Sequence, residues 1–255
     1  MPDVRPDLDE WARRRTSFGS VAAGYAAHRP DYPADAVAFL VGERPRLVLD
    51  VGAGTGLLTG VLLAAGHEVV AVDPAEPMLA ELRARYPRVR TGVGEAEALP
   101  LPGGSVDAAV AGQAAHWFDP ATAATELRRV LRPGGVVGLV WNTRDDGVPW
   151  VADLQRLLAG EARGHEADQG VVDAFARALP ARVDHSRSGF VQRLGPEQVV
   201  AGIATRSYVA MMDDVRRGEF LGEVRALLAT HPGTRGRDVL ELPYRTDAYR
   251  LTPSP

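Results

Sequence analysis

The 255-residue chain contains no cysteine, which excludes disulfides and thiolate metal ligands but does not fix a compartment. Lysine is missing as well: all 29 cationic side chains are arginine, set against 33 carboxylates, for a formal net charge of −4. With a pI near 5.9, there is no electrostatic footprint for nucleic acid or an anionic membrane surface. The arginine bias, joined to abundant alanine and glycine, reads as the imprint of a GC-rich coding sequence rather than selection for guanidinium groups. No apolar run approaches membrane-spanning length, and the start, with Pro2 and Asp3, does not resemble a signal peptide. The cytoplasm is therefore the expected location.

What the chain does have is concentrated in residues 48–56, VLDVGAGTG. A short apolar strand leads into Gly52, Gly54 and Gly56, and a helical pattern follows over 57–65. Alternate glycines permit a tight turn and let a ligand lie directly on backbone, and the following helix N-terminus offers its free N–H groups. A dinucleotide fingerprint, G-x-G-x-x-G, would place the third glycine one residue later. A second buried-strand signal, HEVVAVD, ends in Asp73, 17 residues past Gly56. A carboxylate there can accept from both hydroxyls of a ribose, in a dinucleotide or an adenosyl cofactor alike, and it can equally cap the helix that follows.

The remaining pattern alternates apolar runs with helical segments between residues 47 and 143, the signature of parallel β-α-β units. Met78, Leu79, Leu82 and Tyr86 recur at helical spacing. Asp119-Pro120 is an N-cap followed by proline, and Pro133-Gly134-Gly135 should end that helix and release a strand over 136–141. Beyond Asn142 we expect one or two helices over 149–180, a strand over 188–194, helices over 196–212 and 216–229, and a last strand over 241–251. Arg13-Arg14-Arg15 reads as a solvated helix face.

In register with these signals, the chain resembles the class I S-adenosylmethionine-dependent methyltransferases of the small-molecule type, near the ubiquinone/menaquinone-biosynthesis and trans-aconitate families. The resemblance rests on Asp50 to Gly56, on Val72-Asp73-Pro74 with Met78, and on Glu95-Ala96-Glu97-Ala98-Leu99-Pro100. Ser105-Val106-Asp107, Leu131-Arg132-Pro133-Gly134-Gly135 and a lid-like segment, FGSVAAGYAAHRPDYP at 18–33, complete it. It implies a doubly wound, mostly parallel seven-stranded α/β sheet with a helical cap, its last two strands an antiparallel edge hairpin. One domain would fill 1–255, with a cofactor core at 36–145 and lid or cap elements at 1–35 and 150–235.

The resemblance also implies residue roles toward S-adenosylmethionine. Gly52, Ala53 and Gly54 would underlie the methionine moiety and ribose, with Asp50 orienting either the turn or the tail ammonium. Asp73, followed by Pro74, would take the ribose, while Met78 would pack on the adenine or simply in the core. Glu95 would accept from the adenine amino group and Ala96 would donate its backbone N–H to the ring. Tyr25 would cover the sulfonium and Arg29 would pair with the methionine carboxylate. Gln113, at the carboxyl end of the fourth strand, is placed for the methionine end. His116, within AAHWF, is the candidate acid–base group, read either as a base for the acceptor or as a packed structural residue.

The acceptor expected is a small organic molecule, methylated at oxygen. Ala111-Gly112-Gln113-Ala114 lacks the tetrad of nucleic-acid amino methyltransferases, and no acid ends strand four, so neither a nucleic-acid partner nor a metal is expected. Trp141-Asn142 and the HWF element lean toward carboxylate esterification. The competing readings are a non-methylating cyclase or binding protein on the same fold, and a peptide-modifying enzyme.

Overall fold

The computed structural model describes residues 29–159 and 169–254. Tyr25 and the arginine run at 13–15 lie outside them. Seven strands form one sheet: β1 (Leu47–Val51), β2 (Glu68–Asp73), β3 (Arg90–Val93), β4 (Val106–Gly112), β5 (Leu131–Arg144), β6 (Ala181–Leu194) and β7 (Leu240–Pro253). Their order is β3-β2-β1-β4-β5-β7-β6. The first five strands are mutually parallel, and β7 runs antiparallel to both neighbours. Central strands buried on both faces need near-continuous apolar runs, which is why LVLDV and VDAAVAG contain so few polar residues.

Helices α1 (Ala34–Val41), α2 (Leu57–Ala64) and α3 (Glu76–Arg85) cover one face, where Leu40, Leu58, Leu62, Leu79 and Leu82 join Val48, Ala108 and Val110. Helices α4 (Pro120–Val130) and α6 (Gln169–Ala178) cover the other, packing Ala124, Leu127, Val172 and Phe175 on Leu49, Ala109 and Leu139. A third apolar cluster joins α5 (Pro149–Ala159), α7 (Pro196–Ala204), α8 (Ser207–Ala210) and α9 (Asp214–Thr230) to Leu194, Leu242 and Tyr244 of the terminal hairpin. Asp119 caps α4 as expected, its Oδ1 accepting from the Thr122 amide at 2.9 Å.

Three element boundaries differ from the sequence expectation. Strand β6 begins at Ala181 rather than 188: in its first half (ARVDHSR) only Ala181 and Val183 are apolar and pack on the core, and His185 and Arg187 follow them on that face, so the apolar alternation is too short to mark a strand. It is specified by fourteen register pairs with β7, from Ala181↔Pro253 to Leu194↔Leu240. Strand β5 spans Leu131–Arg144 rather than 136–141: Leu131 already pairs with Val106, and a register shift with Gly134 at φ +76 absorbs the Pro-Gly-Gly. The helix expected over 196–212 breaks after Ala204, where the Thr205 hydroxyl donates back to the Gly202 carbonyl, and Asp213 starts α9 by accepting from the Arg216 amide. No described helix is long and apolar enough to cross a membrane.

Asp107 ties the sheet together at its amino edge. Its Oδ2 accepts from the Leu47 amide at 2.9 Å and its Oδ1 from Arg132 at 2.7 Å. The Leu47 bond, then the Arg132 bond, hold its pKa below the usual carboxylate value. Asp107→Ala should lower stability by about 1–2 kcal/mol in urea denaturation near neutral pH; an unchanged midpoint would mean that the edge is held by strand pairing alone.

Candidate active site

The order of the sheet reverses between β1 and β4, and ligands of open α/β sheets bind outside the carboxyl ends at such a point. A cleft of about 940 Å³, counting its open mouth, lies there. The glycine loop forms its floor. The amides of Gly52 and Ala53 both donate to the Val72 carbonyl, at 2.8 and 3.1 Å, so the turn leaving β1 is fastened to the end of β2. Gly52 has φ +68, and a Cβ on it would stand 2.7 Å from the Ala114 methyl. Gly54 has φ +55, but a Cβ there would meet nothing within 4 Å, because the space beside it is the cleft. Both the conformation and the opening therefore call for glycine at 54.

Asp73 holds that loop. Its Oδ2 accepts from the Gly54 amide at 2.9 Å and its Oδ1 from the Ala75 amide at 2.8 Å. It thus organises the start of α3 from two residues ahead of the cap position, where Ala75 itself makes no side-chain cap. As a carboxylate lining the cleft, Asp73 is of the acceptor type that hydroxyl donors need.

Asp50 is fully buried at the end of β1 and belongs to the cleft wall. Its Oδ2 accepts from the Thr59 hydroxyl at 2.6 Å. Its Oδ1 is sealed and has no hydrogen-bond partner among the described residues. Burial, opposed by Thr59 and reinforced by the nearby Asp73 charge, pushes its pKa up to about 7. An orphaned carboxylate oxygen in a ligand cleft is a place for a cationic donor.

The opposite wall is the loop after β3. Glu95, Ala96 and Glu97 line it with Pro74 and Met78. Met78 is buried yet belongs to none of the three apolar clusters, which favours the ligand-facing alternative over the core one. Helix α4 fixes this loop: Glu126 accepts from the Leu99 amide at 2.8 Å, and Arg129 donates to the carbonyls of Leu101 and Leu99 at 2.7 and 3.0 Å. Glu97 accepts from the Asp119 amide at 2.7 Å and so couples the loop to the α4 N-terminus.

Gln113 closes the cleft at the end of β4. Its φ of +54 is unusual for a residue other than glycine, and such a conformation costs about 1 kcal/mol or more. Its side-chain amide donates to the Asn142 carbonyl at 2.6 Å. Asn142 in turn donates to the Asp31 carbonyl at 3.1 Å and accepts from the Thr246 hydroxyl at 2.6 Å. Two predicted residues stand outside the cleft lining. His116 lies in a 3-10 turn, Ala115–Trp117, where its Nδ1 accepts from the Trp141 indole at 3.4 Å. Arg29 lies near enough to Arg206 for its charge to act there.

Tyr32, Trp117 and Phe118 also line the cleft; the last two belong to the HWF element, and none of the three is assigned a cofactor role from the sequence. Tyr32 had a signal, since it belongs to the lid-like segment; its hydroxyl lies 2.6 Å from where a Gly112 Cβ would stand. Among the described residues no group of three or more His, Asp or Glu is placed to hold a metal ion.

Residues 49–139 match the family described as "Methyltransferase domain". An uncharacterized methyltransferase of Mycobacterium tuberculosis is 44% identical over 237 residues, covering 92% of this chain and 95% of that protein. A solved structure from Anaeromyxobacter dehalogenans, assigned to the type II methyltransferases, superposes with a TM-score of 0.66 at 29% identity, covering 88% of this chain and 97% of that one. A malonyl-[acyl-carrier protein] O-methyltransferase of Methylococcus capsulatus is 40% identical over 147 residues, 52% of this chain and 54% of that protein. Fold, cleft and relatives together define an α/β enzyme of the methyltransferase class. The chain belongs to the class I S-adenosylmethionine-dependent methyltransferases.

Because the folded-state pKa of Asp50 is raised from 3.8 to about 7, the native protein holds a proton that the unfolded chain has released. This group therefore costs the protein stability as pH rises from about 4 to about 7, and the loss levels off above that. Asp50→Asn should be more stable than wild type by about 2 kcal/mol or more near pH 8, with the gap closing toward pH 4. Urea denaturation across that range checks it; a gap independent of pH would mean that Asp50 is not the titrating group.

Proposed function

We propose that the protein transfers a methyl group from S-adenosylmethionine to a small organic acceptor at oxygen, a carboxylate or a hydroxyl. The observation that carries this reading is the sealed, partnerless Oδ1 of Asp50 at the floor of a glycine cleft whose rim is Asp73. In this reading Asp50 receives the methionine ammonium, Gly52, Ala53 and Gly54 lie beneath the tail and ribose, and Asp73 accepts from the ribose hydroxyls. The Glu95–Ala96 wall, with Met78 and Pro74, takes the adenine. Gln113 faces the methionine end, with Arg29 and Tyr25 contributed by the lid. The cofactor core is 36–145, and 1–35 with 150–235 supply the lid and cap.

S-adenosylmethionine supplies an activated methyl group and a neutral thioether leaving group. The chain's own residues align the acceptor and keep water away, and alignment alone is worth about 7–11 kcal/mol. With a carboxylate acceptor, the oxygen lone pair forms the O–CH3 bond as the S–CH3 bond breaks, and both charges are neutralised without any proton moving. The O-methyltransferase relative, named for its action on malonyl-acyl-carrier protein, supports an oxygen acceptor.

His116 fits a donor role better than that of a base. Indole N–H only donates, so an Nδ1 that accepts from Trp141 leaves the imidazole hydrogen on Nε2. In that tautomer Nε2 can donate to an acceptor but has no lone pair to take its proton, and the contact with Trp141 supports the packed, structural alternative.

Incubating the protein with S-adenosylmethionine and a panel of organic acids and alcohols should yield S-adenosylhomocysteine and either a base-labile methyl ester from an acid or a base-stable methyl ether, with release of a proton, from an alcohol, detected by mass spectrometry. Turnover only with amines or thiols would refute oxygen transfer. His116→Gln, which keeps a donor near the Nε2 position, should retain turnover within about tenfold, whereas loss of a general base costs about 10²–10⁴. A loss in that larger range, with a wild-type pH–rate profile rising through an imidazole pKa, would restore the base assignment.

A further inference from the structure

The carboxyl end of β5 carries a group of cations that the cofactor reading does not use. Arg144 is the last residue of β5, two positions beyond Asn142, whose carbonyl receives the Gln113 amide from the cleft wall. Residues i and i+2 of a strand share a face about 6.6 Å apart. Arg144 therefore stands one repeat outward from the cleft, on the same face as Asn142. It pairs in register with Tyr244 of β7, and its Nη1 lies 3.5 Å from Gln155 Oε1 of α5, longer than an ordinary hydrogen bond.

Arg206 arrives from above, at the junction between α7 and α8, where its carbonyl accepts from the amides of Val209 and Ala210. Burial first, then the charges of Arg144 and Arg29, bring its pKa down to about 9. No carboxylate is among the described groups that act on it; only Tyr208 and Tyr244 work in the opposite direction. Three polar atoms in this group are sealed from solvent with no hydrogen-bond partner among the described residues: Arg144 Nε, Arg206 Nε and Tyr208 Oη. Arg144 and Tyr208 are each only 7% exposed. Arg206 is half-buried, which leaves a way in.

The two guanidiniums repel one another, and the sealed Nε of each has lost its hydration with no hydrogen-bond partner among the described residues to replace it. An anion would answer both deficits, since a carboxylate accepts from the guanidinium forks and the phenol together. We propose that Arg144, Arg206 and Tyr208 form an anion subsite beside the methyl-transfer cleft that anchors one carboxylate of a small dicarboxylate acceptor. The proposal rests on the acceptor reading above and narrows it. A carboxylate gripped by guanidinium has its lone pairs occupied, so the oxygen methylated is the one at the acceptor's other end.

The test uses glutarate as probe, with sodium chloride at matched ionic strength as control and melting temperature as readout, on the full chain without cofactor. Glutarate should raise the wild-type Tm in a concentration-dependent way, and the apparent affinity should fall at least about tenfold in both R206M and R144M, the effect expected for losing a charge-assisted pair. Both variants should melt at or above the wild-type temperature in chloride, because each removes an uncompensated buried charge. If either fails to melt cooperatively, the lysine variant at the same position, R206K or R144K, replaces it, with an intermediate loss expected. A glutarate response no larger than that of chloride, or one undiminished in the variants, overturns the subsite. A parallel titration with S-adenosylhomocysteine separates the two readings: its failure to raise Tm would strike the cofactor assignment while leaving the glutarate result to stand or fall by itself.

Discussion

Everything in the site depends on how β1 is allowed to end. The amides of Gly52 and Ala53 converge on one carbonyl, that of Val72, and Asp73 reaches across to hold the Gly54 amide. The loop is thus stitched to the neighbouring strand by its own backbone, and it keeps that path through left-handed conformations that only glycine adopts cheaply. One carboxylate at the end of β2 then sets two things at once, the shape of the glycine loop and the entry into α3. The cleft is what remains open when both are fixed.

The energetic character of the site follows from charges left incomplete. Asp50 is buried with one oxygen unanswered, and at the outer end of β5 two arginines are gathered with no described carboxylate acting on Arg206. Structural ion pairs elsewhere are closed: Asp107 has its amide and its arginine, Glu126 has Arg129 and the Leu99 amide, and Asp247 has Arg187 and His185. The contrast is informative. Asp50 and the arginine group stand out because they lie along the proposed path from cofactor to acceptor, although sealed polar atoms such as the ring nitrogens of His67 occur away from it as well. Unsatisfied groups cost stability, and such costs collect at functional sites.

The parallel β-α-β units and the floor of the cleft were legible because they depend on local chemistry: glycine spacing, a terminal carboxylate, buried apolar runs; the seven-stranded sheet and its closing antiparallel hairpin came only with the family resemblance. Asp50, Gly52, Gly54, Asp73, Pro74, Met78, Glu95, Ala96 and Gln113 all fall on one cleft. The first half of β6 was not legible, since an edge strand whose only apolar residues there are Ala181 and Val183 is specified by its partner's register rather than by its own pattern. Nor was the break at Thr205, which depends on a side chain competing for a helix carbonyl. The arginine group was hidden for another reason. Arg144 and Arg206 are far apart in sequence and are two among 29 arginines, so only the fold distinguishes them from surface charge.

The central claim is that the cleft is built for an adenosyl cofactor bearing an amino-acid tail. Isothermal titration with S-adenosylhomocysteine, with NAD as the comparison ligand, tests it most directly when run in buffers of different ionisation enthalpy near pH 7. The account predicts micromolar binding of S-adenosylhomocysteine, none of NAD, and release of part of a proton as Asp50 ionises against the incoming ammonium. Binding of NAD, or binding of S-adenosylhomocysteine with no proton released in wild type, would contradict it.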